Sequence, residues 1–475
     1  MRSLLLLLLT LPSAHAQIPN LAPLASIQAD TCSSVLDSAT KDTLSLDPRT
    51  VKHDQLDATI HSLWNARLAL RARMKEFQVT PDCVRSFRHF MTAVRGLEDY
   101  LGERLLKPAA FDSKHPTPAL TGTFPSLLAA SDFELRSGDI IASRGVAYTS
   151  AAIARISDDP GQFSHLSILY IDPRTNQKFI VQSLIESGAN VIPFEQYATD
   201  GKGRASVYRL PDPEFAATAA RLIYEKINHL NATGHHILYD FHANLSDHST
   251  LFCTELVSWA YELATAKLRR HVALPLFPSH ISRHNRDFLE ATGMDARVSF
   301  LPVDMDVDTR FDLVAEWRDF TQMRTMRHHE QIIDAEFSWM ERLDYTFSKE
   351  ITMDFVRDLG YVLRRSPLSG LVSAEIPLNM SKDTLGAVVN LFLASIPINT
   401  DLSKADEASV KANGFPLPAP QLRSFLEKYR EQDYAQFRLE QEWRKYGRMS
   451  AGDNAASQEP QNSRFHDYLR PRKDL

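Results

Sequence analysis

Between residues 139 and 210 the hydrophobic period of the chain changes, and this change constrains the fold more than any other feature. Four short runs read as strands: Asp139–Ser143, His165–Ile171, Phe179–Leu184 and Ala205–Leu210. A helix is expected around Thr149–Ile156, between the first two. Another is expected over Glu214–Leu230, with Phe215, Ala219, Leu222, Ile223 and Ile227 on one side. A third begins near Cys253, where Leu256, Val257, Ala260, Tyr261 and Ala264 keep a helical stripe. Such a mixture predicts an α+β unit with an antiparallel sheet.

The flanks read as helical. Leu56, Ile60, Leu63, Leu70, Met74 and Phe77 recur at helical steps. Thr80 can cap a second helix, with Pro81 suited to its first position and a stripe of Phe87, Phe90, Val94, Leu97 and Leu101. Further on, Ile333, Phe337, Met340 and Phe347 form one stripe, and Ile351, Phe355, Leu359 and Val362 another. A charged helix is expected from about Gln421 to Tyr446, with Gly447 as its cap. The expected division is therefore a leader over 1–16, a helical region and linker over 17–130, and the α+β domain over 131–270. An irregular connection over 271–330, a helical region over 331–450 and a flexible tail over 451–475 complete it.

Arg2, the apolar run Leu4–Leu9 and Ala14-His15-Ala16 have the form of a cleavable signal peptide, with cleavage after Ala16. The apolar run is shorter than the roughly 20 residues a bilayer span needs. The later run Ala387–Ile396 is also short and contains Asn390, so no transmembrane segment is expected in the mature chain. Export, in the first instance to a periplasm, implies an oxidising compartment. Of three cysteines, Cys32 and Cys83 both precede the α+β region and form the natural pair, which leaves Cys253 free. Such a bridge would contribute roughly 4 kcal/mol in the loop-entropy model. The net charge of −6 provides no global basic field, so nucleic acid is not an expected partner.

Cys253 therefore stands as a lone thiol at the start of a helix, where the helix dipole favours thiolate. His165 opens a strand, where a neutral imidazole can take a thiol proton. Gln182, on the next strand, can accept from the second imidazole nitrogen, and Glu186 just beyond it is the alternative third residue. His235, His236, His242 and His248 fit no compact zinc-ligand spacing, and neither metal nor cofactor is expected.

Three segments carry a resemblance. Ser137-Gly138-Asp139-Ile140-Ile141, Phe163-Ser164-His165-Leu166-Ser167-Ile168 and Phe252-Cys253-Thr254-Glu255-Leu256-Val257 are similar to the motifs of YiiX/YebB-like cysteine hydrolases, a permuted branch of the NlpC-type papain-like superfamily. Tyr239-Asp240-Phe241 resembles that family's Tyr-Asp element. The resemblance covers roughly residues 133–265. It implies a circularly permuted papain-like fold, with Cys253 as nucleophile, His165 as base and Gln182 as polar orienter. The family usually looks like Val-Ile-Glu-Ala where this chain has Ile180-Val181-Gln182-Ser183.

The function these readings predict is hydrolysis of an amide through an acyl-enzyme, on peptides and possibly on peptidoglycan stem peptides. Two other readings are carried forward. One is a lipid acyl hydrolase or acyltransferase using the same pair of residues. The other is a binding or scaffold protein with a weakened site. The expected partners are accordingly a peptide, cell-wall or lipid substrate, and the oligomeric state is left open.

Overall fold

The computed structural model describes residues 19, 21–105, 126–159, 161–243, 248–281, 286–294, 296–348, 379–443, 445 and 464–474. The leader, the cap at Gly447 and the stripe Ile351–Val362 lie outside them. Two compact units are present: 1–282 with 296–326 and 377–379, and 283–295 with 327–376 and 380–475.

The first unit opens with α1 (Cys32–Ser45), α2 (Leu56–Met74) and α3 (Pro81–Leu105). Leu56, Ile60, Leu63, Leu70 and Met74 are buried on α2, and Phe87, Phe90, Val94, Leu97 and Leu101 on α3. Thr80 Oγ1 accepts from the Cys83 N–H at 3.3 Å, as a capping residue does. Cys32 and Cys83 are joined by a disulfide that ties the start of α1 to the start of α3, with Cα atoms 5.3 Å apart.

The sheet follows: β1 (Leu127–Ala129), β2 (Ile140–Gly145), α4 (Tyr148–Ile153), β3 (His165–Ile171), β4 (Lys178–Leu184), β5 (Gly188–Pro193), α5 (Phe194–Thr199) and β6 (Lys202–Arg209). Next come α6 (Pro213–Ala232), α7 (Cys253–Leu268), β7 (Ser279–His280), α8 (Arg286–Thr292), β8 (Val298–Ser299), α9 (Asp304–Val307) and β9 (Asp312–Arg318). Seven strands pair in the order β1-β9-β6-β2-β3-β4-β5, every pairing antiparallel. One face of the sheet (Ile140, Ala142, Leu166, Ile168, Val181) packs into the same core as α2, α3, α6 and α7. The other face (Ile141, Leu169, Ile180, Ala205, Val207, Trp317) packs on Tyr197 and Ala198 of α5.

Two expectations are corrected here. Residues 271–330 are more than an irregular connection, because β9 is an inner strand of the sheet, between β1 and β6. Its inward residues are Glu316 and Arg318, charged and fully buried, which hides it from a reading based on apolar alternation. The expected linker at the end of 17–130 also fails there, where Leu127–Ala129 pair with Trp317–Ala315.

Glu316 and Arg318 belong to a buried ionic layer between the sheet and the N-terminal helices. Arg67 donates to Glu98 and Glu316, Arg95 to Asp306 and Glu316, Arg318 to Glu98 and Asp99, and Arg204 to Asp99. Arg67, Arg95, Arg204 and Arg318 thus face Glu98, Asp99, Asp306 and Glu316 in equal number. Buried charges persist where each is paired and hydrogen-bonded, and this layer meets that condition.

The second unit holds α8, the later part of α10 (Phe320–Leu343), β10 (Tyr345–Phe347), α11 (Lys382–Asn413), α12 (Ala419–Glu442) and β11 (Leu469–Pro471). Phe347 lies in β10 rather than on the helix that its spacing from Met340 predicts. Over Asp383–Asn413, α11 is long and apolar enough by length and composition to cross a bilayer. Within its unit it buries Ala387, Leu391, Ala394, Ile398 and Leu402, with 39% of its most apolar window buried. The expected flexible tail is a further correction, since β11 pairs with β10 and Phe465 and His466 are fully buried. Asp433 explains the burial of this polar stretch: it accepts from the Arg464 and His466 N–H groups and from His466 Nδ1 at 2.7 Å.

Candidate active site

Alternation along β3 places His165, Ser167 and Leu169 on one face of the sheet. The β3–β4 register pairs Ile168 with Val181. Extending it sets Gln182 opposite Ser167 and diagonal to His165, within reach of a long side chain. The contact is made: His165 Nε2 lies 2.9 Å from Gln182 Oε1. An amide oxygen only accepts, so Nε2 carries the proton and the Nδ1 lone pair is left as a base. Glu186 is exposed in the turn after β4, so of the two alternatives it is Gln182 that touches the imidazole.

The helix carrying Cys253 is pinned at its start. Ser183, beside Gln182 but on the opposite face, donates to the Leu251 carbonyl at 2.6 Å. Thr254 donates to the Phe300 carbonyl at 2.7 Å, and Glu255 accepts from the Phe252 N–H at 2.6 Å. The thiol thereby meets the end of the β3–β4 ladder, where the N–H of Leu166, next to His165, hydrogen-bonds the sulfur. Strand, strand and helix bring His165, Gln182 and Cys253 to one end of the sheet.

The electrostatics differ from the thiolate expected of a helix start. Cys253 is 1% exposed. Burial pushes its pKa up to about 12 and the Glu255 carboxylate adds to this, against the N–H groups of Leu166, Thr254 and Cys253. Burial pushes His165 down to about 4, with the Lys202 ammonium acting in the same direction and the Gln182 bond opposing. Desolvation outweighs the dipole, and the resting pair at neutral pH is thiol and neutral imidazole.

Three residues here are not evident from the sequence. Tyr197 of α5 lies over the site's face, its hydroxyl 3.4 Å from Ser167 Oγ. Lys202 Nζ sits 3.9 Å from the centre of the Tyr197 ring and donates to the Tyr197 carbonyl at 3.0 Å. Asn190 of β5 pairs with Gln182. The loop before Cys253 brings in Tyr239, whose ring is 5.4 Å from that of Phe252. Burial and the nearby Cys253, Glu255 and Glu186 hold the Tyr239 phenol well above its usual range.

Gly188 seats this loop on the sheet. Its φ is +62°, and a Cβ there would lie 2.1 Å from the Ile237 carbonyl oxygen, which accepts from the Ala189 N–H at 2.9 Å. Gly188→Val is expected to lower stability by about 2 kcal/mol or more, from the left-handed backbone and the clash together. Thermal denaturation checks this, and an unchanged midpoint would show that the loop is not held there.

The loop histidines have other engagements. His236 Nδ1 is 3.0 Å from Asn231 Oδ1, and His248 stacks on Trp259 and lies 3.0 Å from Glu262.

Residues 134–274 match the permuted papain-like amidase enzymes of the YaeF/YiiX, C92 family. No curated protein and no solved structure matches the chain.

Proposed function

We propose that this permuted papain-like amidase is an exported enzyme that cleaves peptide amides, peptidoglycan stem peptides among them, through an acyl-enzyme on Cys253. The observation that carries the reading is the His165 Nε2–Gln182 Oε1 contact of 2.9 Å beside a thiol held at a helix start. In the proposed reaction Cys253 Sγ attacks the amide carbonyl carbon while its proton passes to His165 Nδ1. The N–H of Cys253 faces the developing oxyanion. His165 then gives that proton to the leaving nitrogen as the C–N bond breaks. Water, deprotonated by His165, opens the thioester and frees the acid and the thiol. The Cys32–Cys83 disulfide and the signal-like start support an oxidising, exported setting.

The test incubates the full chain and its Cys253→Ala variant with purified sacculi, with defined stem peptides and with phospholipid vesicles. Peptide release by the parent alone, with a mass adduct on Cys253, is the expected result. Release of fatty acid from vesicles instead would move the reading to lipid chemistry. Equal release by the Cys253→Ala variant would end it.

A further inference from the structure

Gln182 has two ends that differ little in shape and oppositely in hydrogen bonding. Its oxygen holds the His165 Nε2–H. Its Nε2 is buried and has no hydrogen-bond partner among the described residues. Buried amide donors are rarely left in that state.

The residue directly opposite Gln182 on β5 is Asn190. Cross-strand partners share a face of the sheet, so its side chain stands beside Gln182. Asn190 Nδ2 donates to Ser187 Oγ at 2.6 Å. Its Oδ1 is likewise buried without a partner. The site therefore holds one orphan donor and one orphan acceptor on facing residues. The terminal torsion of an asparagine is broad, so Asn190 has the freedom to turn its oxygen toward Gln182.

We propose that Asn190 is a positioning residue that sets which way the Gln182 amide faces, through a directed chain from His165 to Gln182 to Asn190 to Ser187. Each step then runs donor to acceptor: His165 Nε2–H to Gln182 Oε1, Gln182 Nε2–H to Asn190 Oδ1, Asn190 Nδ2–H to Ser187 Oγ. The consequence lies at the imidazole. A Gln182 turned end for end presents N–H to His165 Nε2, which must then be the acceptor. The ring proton moves to Nδ1, and the atom that should take the thiol proton no longer can. A carboxylate at position 182 has no such ambiguity, since both its oxygens accept. An amide there needs a neighbour that breaks its symmetry, and Asn190 supplies an acceptor on the correct side. The inference rests on the reading of His165 as the base.

The test uses the full chain labelled with 15N-histidine, with the His165 ring assigned by difference against His165→Gln. The tautomer is read from its two ring nitrogens at pH 7, and iodoacetamide alkylation of Cys253 is measured in parallel. The parent is expected to hold the Nε2–H tautomer. Asn190→Leu removes the acceptor and is expected to populate Nδ1–H and to slow alkylation about tenfold. Asn190→Asp keeps an acceptor and is expected to restore both. If Asn190→Leu fails the far-UV circular dichroism check, Asn190→Ser replaces it, being too short to reach Gln182. An unchanged Nε2–H tautomer in the acceptor-free variant overturns the proposal. Failure of the base assignment looks different: His165→Gln then alkylates as fast as the parent, while the tautomer still answers for Asn190.

Discussion

Glu316→Ala is expected to lower the stability of the first unit by at least about 3–5 kcal/mol, the range for breaking a buried ion pair by removing one partner. Glu316 accepts from Arg67 at 2.9 and 3.0 Å, from Arg95 Nε at 3.1 Å and from Ser206 Oγ at 2.7 Å, and it pairs with Arg318. Burial alone would raise its pKa, but Arg318, Arg67 and Arg95 hold it well below the usual range, so it is a firm anion. Alanine leaves four buried guanidiniums, Arg67, Arg95, Arg204 and Arg318, sharing three carboxylates, Glu98, Asp99 and Asp306. A typical domain is stable by only about 5–15 kcal/mol, so this loss takes a large share. Urea unfolding followed by tryptophan fluorescence measures it, and a loss under about 1 kcal/mol would show that the layer relaxes around the gap. The effect reaches the site through the sheet, because β9 pairs with β6, β6 with β2 and β2 with β3, which carries His165.

The same layer explains what was and was not legible in the sequence. β3 runs over His165–Ile171 as the alternation predicts, since both its faces bury apolar side chains. The helix at Cys253 is equally plain, because Leu256, Val257, Ala260 and Ala264 point into a core. β9 is hidden because Glu316 and Arg318, among its buried residues, are charged and paired, and polarity normally signals solvent. β5 is hidden for another reason: six residues with Gly188 at one end and Pro193 at the other look like a turn, and they form an edge strand. The site divides in the same way. Cys253, His165 and Gln182 announce themselves by motif and order. Asn190 does not, because its role depends on a cross-strand register that no local pattern encodes. Tyr197 reaches the site through the fold of α5 over the sheet, and Lys202 from the start of β6. The helix-start argument for a thiolate misled because it counts the dipole and not the burial, and burial is the larger effect here.

Replacing Cys253 by alanine should abolish amide cleavage, a loss of about four orders of magnitude or more, since Cys253 is the one cysteine outside the disulfide and a serine hydroxyl is a far weaker nucleophile than a thiol. The finer result lies in the pH profile. As the proposed base, His165 would work only when neutral, and burial with Lys202 holds it at about 4, so the acid limb of the rate is expected near pH 4. Gln182→Glu places a carboxylate against Nε2, which favours the imidazolium and raises that pKa. Its acid limb should move up by a unit or more, and activity at pH 5 should fall while activity at pH 8 is retained. Stability should follow with the opposite sign. A histidine depressed from 6.5 to about 4 leaves the unfolded chain binding the extra proton between those values. The parent therefore loses up to about 3 kcal/mol as pH falls from 6.5 to 4, and Gln182→Glu should lose less. Lys202→Met removes the nearby cation and should shift the acid limb in the same direction as Gln182→Glu, by a smaller amount. Rate profiles and urea midpoints at pH 4, 5, 6 and 7 test both halves together. An acid limb that stays put in Gln182→Glu would mean that the residue touching Nε2 does not govern the base.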